Sequence, residues 1–179
     1  MKFEFNRKEY ERKFLNAGGY IGKIVNVTIE NEVISVYFDI EQGDFKGVFM
    51  KEYKANGGAS KFDASKWSKK GVANFNFAYS GAKYAFAQLL DDLETSNQSF
   101  KWKDETDDLK NKLIGIVYRK NIYTDKFGDE REGTDFPEFK SVKDIMNGNY
   151  SIEPKDKQKE SQPSEQAPKF DITEDDIEF

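Results

Sequence analysis

The chain has 179 residues, which is room for one domain of ordinary size and an additional segment. It contains no Cys and no His, so disulfides, thiol nucleophiles, Cys/His zinc sites and Ser-His-Asp triads are excluded. The formal net charge of −5 arises at the C-terminal end, because residues 151–179 contain nine acids and four lysines and residues 1–150 contain 24 of each sign. The pI of the whole chain therefore says little about what a folded part would bind.

The N-terminal segment, MKFEFNRKEYERKF, is charged from Lys2 onward and has no apolar stretch of the kind that signal peptides contain. No apolar run in the chain approaches the roughly 18 residues needed to cross a bilayer. Together with the lack of Cys, these features predict a cytoplasmic protein that makes no membrane contact.

Three strands are predicted at the start of the body. Residues 20–30 and 32–40 alternate apolar and polar side chains with the period of a half-buried strand, and Asn31 marks the turn between them. Residues 44–53 follow a break at Gly43 and form the predicted third strand. Connections this short favour an antiparallel meander.

A long loop and a helix come next. Residues 54–70 contain Gly57, Gly58 and five lysines, and a loop of this length in a compact domain is usually functional or disordered. Ser80 is the predicted N-cap of a helix over residues 81–96. One side of this helix is apolar, with Tyr84, Phe86, Leu89, Leu90 and Leu93.

The second half of the body is predicted to form a hairpin and a short helix. Residues 112–123 and 130–139 have the composition of paired strands, and residues 125–129 form the turn between them. Residues 141–148 begin with a Ser cap and stop at a Gly, which is typical of a short helix.

The order of three strands, one amphipathic helix and two further strands predicts a mainly β fold: a five-stranded Greek-key barrel of the OB type, with the helix between strands three and four. We assign residues 1–150 to this domain, residues 151–170 to a disordered linker and residues 171–179 to an acidic tail tip. The linker is rich in Pro, Ser, Gln, Lys and Glu, a composition that cannot bury enough apolar surface to offset its ordering entropy.

OB barrels bind single strands through basic side chains along the phosphates and aromatic rings on the bases, with about 1–3 kcal/mol for each stacked base. Strand alternation points Tyr37 away from the side of Val36 and Phe38, and Trp67 lies among the lysines of the long loop. The stacking candidates are Tyr37, Phe49, Tyr53, Trp67, Tyr118 and Tyr123. The phosphate candidates are Lys23, Lys46, Lys51, Lys69, Lys70, Arg119 and Lys126. For any single aromatic residue, the alternative is a place in the core.

No catalytic, metal or cofactor site is predicted. Oxygen ligands for a divalent cation are present at Asp91, Asp92, Asp104, Glu105, Asp107 and Asp108, which leaves a carboxylate-metal nuclease as an alternative. Their spacing lacks the alternating ligands and the Gly of a calcium loop, so we interpret them as a solvated acidic surface. The Gly57-Gly58 pair is followed by no GKS/T motif and is not interpreted as a phosphate loop.

The C-terminal segment carries the most specific pattern. Its last residue offers a partner a ring and an α-carboxylate, and the surrounding acids suit a basic rim. The partner-binding candidates are Asp171, Glu174, Asp175, Asp176, Ile177 and Phe179. A tail that only solubilises the protein would explain the charge but not the apolar side chains near the very end.

The final residues, DITEDDIEF, resemble the acidic tip of bacterial single-stranded DNA-binding proteins, which ends in acids, an aliphatic residue, Pro and Phe. Glu178 stands where that Pro is usual, a departure expected to weaken binding to a host partner's pocket. Over most of residues 18–150, the chain is similar to the diverged single-stranded DNA-binding proteins encoded by phages of Gram-positive bacteria. The segments that carry this resemblance are GYIGKIVNV, VYFDIEQGDFKGVF, LETSNQSFKW, KLIGIVYRKNIYTDKFGDERE and SVKDIMNGNY. The resemblance implies an OB-fold, no catalysis and a role in phage DNA replication or recombination.

The leading hypothesis is a sequence-tolerant single-stranded DNA-binding protein in the cytoplasm of a bacterial host cell. It would protect single strands and recruit replication or recombination proteins through its tail, without a cofactor. The first alternative is an OB-type protein-interaction module that does not bind DNA. The oligomeric state, including a homo-oligomer, stays open.

Overall fold

The computed structural model describes residue 2, residues 4–7 and residues 15–155 of the chain. Most of the predicted linker and the whole predicted tail tip, including Asp171, Glu174, Asp175, Asp176, Ile177 and Phe179, lie outside the described residues.

The described part of the chain is mainly β, as predicted. The described residues form seven strands: β1 (Gly18–Glu30), β2 (Val33–Ile40), β3 (Val72–Asn76), β4 (Leu113–Tyr118), β5 (Lys120–Thr124), β6 (Glu130–Thr134) and β7 (Glu138–Lys140). They are accompanied by three helices, α1 (Val48–Ala55), α2 (Ser80–Ser96) and α3 (Val142–Met146). Five strands form a curled antiparallel half-barrel in the order β3-β2-β1-β4-β7, and β5 and β6 form a separate two-stranded hairpin.

The long β1–β2 hairpin is the centre of the sheet. Its two turn residues, Asn31 and Glu32, both have positive φ, at 48° and 64°, as a type I′ turn requires. This turn sets a register in which Glu30 pairs with Val33 and Ile24 pairs with Phe38. The turn predicted at Asn31 is confirmed.

The core lies on the concave face of the sheet. Ile24, Phe38 and Ile114 share this face, and the buried side of α2 covers it. The two edge strands approach each other through their side chains, because the rings of Phe75 in β3 and Phe139 in β7 lie 6.4 Å apart and nearly parallel. Aromatic rings therefore fill the gap between the edge strands β3 and β7, which are not hydrogen-bonded to each other.

The predicted third strand over residues 44–53 is wrong, because this segment contains α1. Gly47 adopts the left-handed conformation before the helix, and the Asp39 carboxylate accepts the N–H groups of Phe49 and Met50, each at 3.0 Å. Phe49 and Tyr53 are four residues apart and both point inward from α1. The third strand of the sheet is instead β3, which begins after the long loop.

Helix α2 forms where it was predicted, with two corrections. Ser80 is the first helical residue and not the N-cap, which is Tyr79. Tyr84 is 79% exposed, because it lies about 200° around the helix from the buried Phe86. Among the residues that the structure describes, no helix combines the length and apolar character needed to span a membrane.

The predicted hairpin over residues 112–139 is present but broken in two. Its base is the β4–β7 pair, which belongs to the sheet, and its distal half is the β5–β6 pair. The break occurs at Arg119 and Asp135, where the backbone N–H of Asp135 donates to the carbonyl of Arg119 at 2.9 Å. The short helix α3 is confirmed, with the Ser141 side chain accepting the N–H of Asp144 at its N-terminus.

Candidate nucleic-acid interface

The convex face of the sheet carries a second layer of rings. Tyr37 does point away from Val36 and Phe38, as the alternation predicts, since it pairs with Asn26 and Val72. Its ring nevertheless packs edge-on against the ring of Phe62, with 4.8 Å between the ring centres. The ring of Tyr53 stacks on that of Phe62, with 5.7 Å between the centres. Trp67 lies 5.5 Å from both Tyr53 and Phe62. We refer to Tyr37, Tyr53, Phe62 and Trp67 as the outer aromatic layer.

Five of the six stacking candidates are buried, which corrects the sequence-based assignment. Tyr37, Phe49, Tyr53, Trp67 and Tyr118 are all no more than 7% exposed. The correction has two causes. The loop after α1 returns over the convex face and places Phe62 against Tyr37 and Tyr53. On the core side, Phe49 packs against Phe38 and Tyr118 packs against Tyr20. These five rings present no face to a base and serve packing instead.

Hydrogen bonds fix the polar atoms of these buried rings. The Trp67 Nε1–H donates to the carbonyl of Gly71 at 2.9 Å. A Cβ at Gly71 would lie 2.7 Å from that same nitrogen, so only glycine fits the close approach of backbone and ring. The Tyr118 hydroxyl donates to the carbonyl of Lys70, and burial raises the pKa of this phenol far above its ordinary value. Two buried side chains therefore hold the backbone of Lys70 and Gly71, at the end of the loop, against the core.

The predicted phosphate-binding side chains do not form one surface. Lys23 and Lys46 share the Glu41 carboxylate, at 3.1 and 3.8 Å. Arg119 donates to Glu138 at 3.0 Å, and both side chains of this pair are only 22% exposed. These three cations are engaged within the protein, and the structure does not place them in a groove.

The remaining basic candidates are exposed. Lys51 lies on α1 and Lys69 on the turn before β3, and neither has a carboxylate partner within residues 15–155. Lys126 places its ammonium group 5.0 Å from the centre of the Phe127 ring. Lys70 donates to the carbonyl and hydroxyl of Thr134, at 2.6 and 2.9 Å, while its side chain stays accessible.

We name the β5–β6 hairpin with its turn, residues 120–134, the arm. Its tip is ordered by one carboxylate: Asp125 accepts the N–H groups of Phe127 and Asp129 and the Nε–H of Arg131 at 2.9–3.0 Å. These hydrogen bonds, that of Arg131 above all, hold the pKa of Asp125 below its ordinary value. Gly128 closes the turn at a φ of 85°, a conformation that favours glycine.

The arm exposes three large apolar side chains. Ile122 and Tyr123 are 42% and 48% exposed, and Phe127 at the tip is 78% exposed. The Tyr123 ring lies over Gly133 of the facing strand, where a Cβ would be 3.4 Å from it. One face of that ring is thus supported by backbone, and its position on the arm leaves the ring open to a ligand.

A groove of about 720 Å³ runs between the arm and the body; we name it the arm groove. The arm contributes Lys120, Asn121 and Tyr123 to its wall. The opposite wall comes from residues 15–17, the first turn of α1 and Lys70. The base of the arm is held by the N–H of Lys120, which donates to the carbonyl of Ile152 at 2.9 Å.

The structure thus brings together a subset of the predicted site. Lys70 and Tyr123 line the arm groove, and Lys126 lies at the arm tip. Lys120 and Phe127 join them, although neither was among the candidates chosen from the sequence. The contribution of residues 15–17 had no signal in the sequence.

The charge of the arm groove is mixed, because Glu52 and Glu132 line it together with Lys70 and Lys120. Within the residues that the structure describes, no three His, Cys, Asp or Glu side chains come together as a metal site requires. Of the acids considered for such a site, Asp107 bonds to Lys110 at 2.9 Å, and Asp92 is buried on α2. Burial raises the pKa of Asp92.

Comparison of the sequence with models of protein families and with curated proteins found no match.

Proposed function

We propose that this protein binds single-stranded DNA without sequence preference and that the arm and the arm groove form the binding surface. The observation that carries the proposal is the exposed pair Tyr123 and Phe127 beside Lys70, Lys120 and Lys126. Single-strand binding needs rings that stack on bases and cations that follow the phosphates, and the arm and its groove have both.

The fold supports the proposal through its strand order. The neighbours β4-β1-β2-β3 have the spatial order of a Greek key, β7 continues the sheet beyond β4, and α2 stands between β3 and β4. This order is compatible with an OB-type barrel left open between its third and fifth strands. The arm occupies the connection between the fourth and fifth barrel strands, one of the two loops with which such barrels bind oligonucleotides. The other loop, at Asn31 and Glu32, is too short to contribute.

The proposed binding mode explains the lack of sequence preference. Stacking on Tyr123 and Phe127 accepts any base, and ammonium groups at Lys70, Lys120 and Lys126 contact phosphates, which are the same in every sequence. The protein would cover and protect the strand during phage DNA replication or recombination, with no catalytic step.

Fluorescence anisotropy of a labelled oligo-dT tests this proposal. We expect saturable binding that weakens with salt, with a slope of about −0.7 in log affinity against log salt for each phosphate contacted, and weak competition by duplex DNA. Tyr123→Ala should weaken binding by about 1–3 kcal/mol. The control is Tyr84→Ala, which removes an even more exposed ring on α2. Equal effects of the two substitutions, or affinity independent of salt, would refute the proposed surface.

We assign partner recruitment to residues 171–179, on the basis of their sequence alone. The acids and the terminal Phe179 would engage a basic, apolar-floored pocket on a replication or recombination protein. Deleting these nine residues should abolish capture of such a protein and leave oligo-dT affinity unchanged or higher. Loss of DNA binding on deletion would contradict this division of labour.

A protein-interaction module is the second candidate, and one surface favours it. On the other side of the arm, Ile122, Phe136 and Pro137 line a groove of about 620 Å³, and Phe136 is 80% exposed. Exposed rings of this size are typical of protein-binding surfaces. Two results together would make this candidate replace the first: no binding of oligo-dT, and loss on Phe136→Ala of the binding of a protein that the wild type captures.

A further inference from the structure

A second basic and aromatic surface lies away from the arm, between the end of α2 and the start of β4. It is a depression of about 500 Å³, and Phe100, Lys101, Lys103, Lys110 and Lys112 are among the residues that line it. The Lys112 ammonium group lies 5.1 Å from the centre of the Phe100 ring. We name this surface the Phe100 depression.

The frame of the Phe100 depression is tightly bonded. Glu94 accepts the backbone N–H of Trp102 at 2.9 Å and the Lys101 ammonium group at 3.1 Å, and these hydrogen bonds lower the pKa of its carboxyl. The Asn97 side chain accepts the N–H of Leu113 and donates to its carbonyl, at 2.9 and 2.8 Å. The backbone on both sides of Phe100 is therefore fixed before any ligand arrives, which lowers the entropy lost on binding.

Two of the four cations are available to an anion. Lys101 is engaged by Glu94 and Lys110 by Asp107. Lys103 and Lys112 have no carboxylate partner in the part of the chain that the structure describes. Asp108 also lines the depression and reduces its charge, but cations still outnumber carboxylates there by four to two.

A third groove, which we name the linking groove, lies between the Phe100 depression and α1. It has a volume of about 610 Å³, and Val25, Met50, Lys54, Phe62 and Lys110 are among the residues that line it. Lys110 also lines the Phe100 depression, so the two concavities adjoin. On its other side this groove is bounded by α1, whose opposite flank forms a wall of the arm groove.

We infer that a single strand bound in the arm groove crosses α1 and continues through the linking groove into the Phe100 depression. This inference rests on the proposed function and adds a second contact region to it. Lys51 and Lys54 on α1 would contact phosphates at the crossing, and Lys103 and Lys112 would contact those at the far end. Phosphodiester is the occupant that fits, because the path alternates half-buried rings with ammonium groups and ends on two unpaired cations.

The test compares two lengths of labelled oligo-dT, about 6 and about 20 nucleotides, since OB-type sites cover about 4–16 nucleotides. Lys103→Glu/Lys112→Glu reverses the charge of the depression. Lys83→Glu/Lys143→Glu makes the same change in net charge at exposed positions on α2 and α3 that line none of the three concavities. Unfolding curves of both variants establish that each is folded.

We expect the long oligo-dT to bind the depression variant at least about tenfold more weakly than wild type, and the short one to bind both equally well. Losing two phosphate contacts should also shrink the fall in affinity between about 50 and 200 mM salt by about sevenfold for the long oligo-dT. Equal losses for the two lengths, or equal losses in the control variant, would overturn the inference while leaving the arm surface standing. If wild type bound neither length, the proposed function itself would fail.

Discussion

Replacing Trp67 by Phe tests whether this ring packs in the protein or contacts DNA. The sequence pattern predicts that Trp67 is a stacking residue, but the structure buries it. In the structure the indole is 6% exposed, touches Tyr53 and Phe62, and donates its N–H to the carbonyl of Gly71. Trp67→Phe keeps an aromatic ring in the outer aromatic layer but removes that donor and part of the buried area.

The size of the effect follows from these two losses. Removing the donor to a buried carbonyl costs about 1–2 kcal/mol. Roughly 40 Å² less buried apolar surface costs about 1 kcal/mol more. We therefore expect Trp67→Phe to lower the free energy of unfolding by about 2–3 kcal/mol, and to leave the affinity of the folded protein for oligo-dT unchanged within about twofold, since the ring meets no ligand.

Urea unfolding and anisotropy titration of the same sample measure both quantities. Tyr123→Ala should have the opposite pair of effects. We expect the free energy of unfolding to change by less than about 0.5 kcal/mol, because the ring is half exposed, and the affinity for oligo-dT to fall clearly. If Trp67→Phe left stability unchanged and abolished binding, the burial of this ring would be refuted and its role as a stacking residue restored.

Three further outcomes follow from the structure. Asp39→Ala should lower the free energy of unfolding by about 2–3 kcal/mol in urea, because the N–H groups of Ile40, Phe49 and Met50 lose their acceptor; no loss would contradict the start of α1. Gly128→Ala should cost about 1 kcal/mol in the same assay, because φ is 85° there, and a neutral result would contradict the turn. The folded state lowers the pKa of Asp125, so the Asp125 carboxylate should stabilise the arm tip fully above pH 3.8 and lose this effect as the pH falls through the lowered pKa. An NMR titration of Asp125 with a midpoint above pH 3.8 would contradict the hydrogen bond from Arg131.

The parts of the fold that the sequence predicted well are those with a strong period. The β1–β2 hairpin alternates over many residues around one turn, and Phe86, Leu89 and Leu93 on α2 repeat at helical spacing. The segment that became α1 carries Phe49 and Tyr53 four residues apart, a spacing that suits one face of a strand as well as one face of a helix. The helix is favoured by Asp39 of β2, whose carboxylate accepts the N–H groups of Phe49 and Met50 in the first turn of α1. This contact comes from another element and cannot be recognised in a local sequence pattern.

The same missing information explains the error at the site. Alternation correctly placed Tyr37 on the convex face of the sheet, but burial there depends on Phe62 and Trp67, which return from the loop to cover it. Tyr123 kept its predicted exposure because the arm leaves the sheet at Arg119 and has no layer above it. A strand period reports which face a side chain occupies, not what else packs on that face.

Photo-crosslinking of an oligonucleotide with halogenated pyrimidines, followed by peptide mapping, tests the central claim most directly. Coupling of the photoexcited base requires a side chain in contact with it, and two highly exposed rings away from the arm, Tyr79 before α2 and Tyr84 on α2, serve as internal controls. We expect crosslinks at Tyr123 and Phe127 of the arm. Crosslinks confined to Tyr79 and Tyr84, or none on the arm when the oligonucleotide is saturating, would contradict the claim that the arm binds single-stranded DNA.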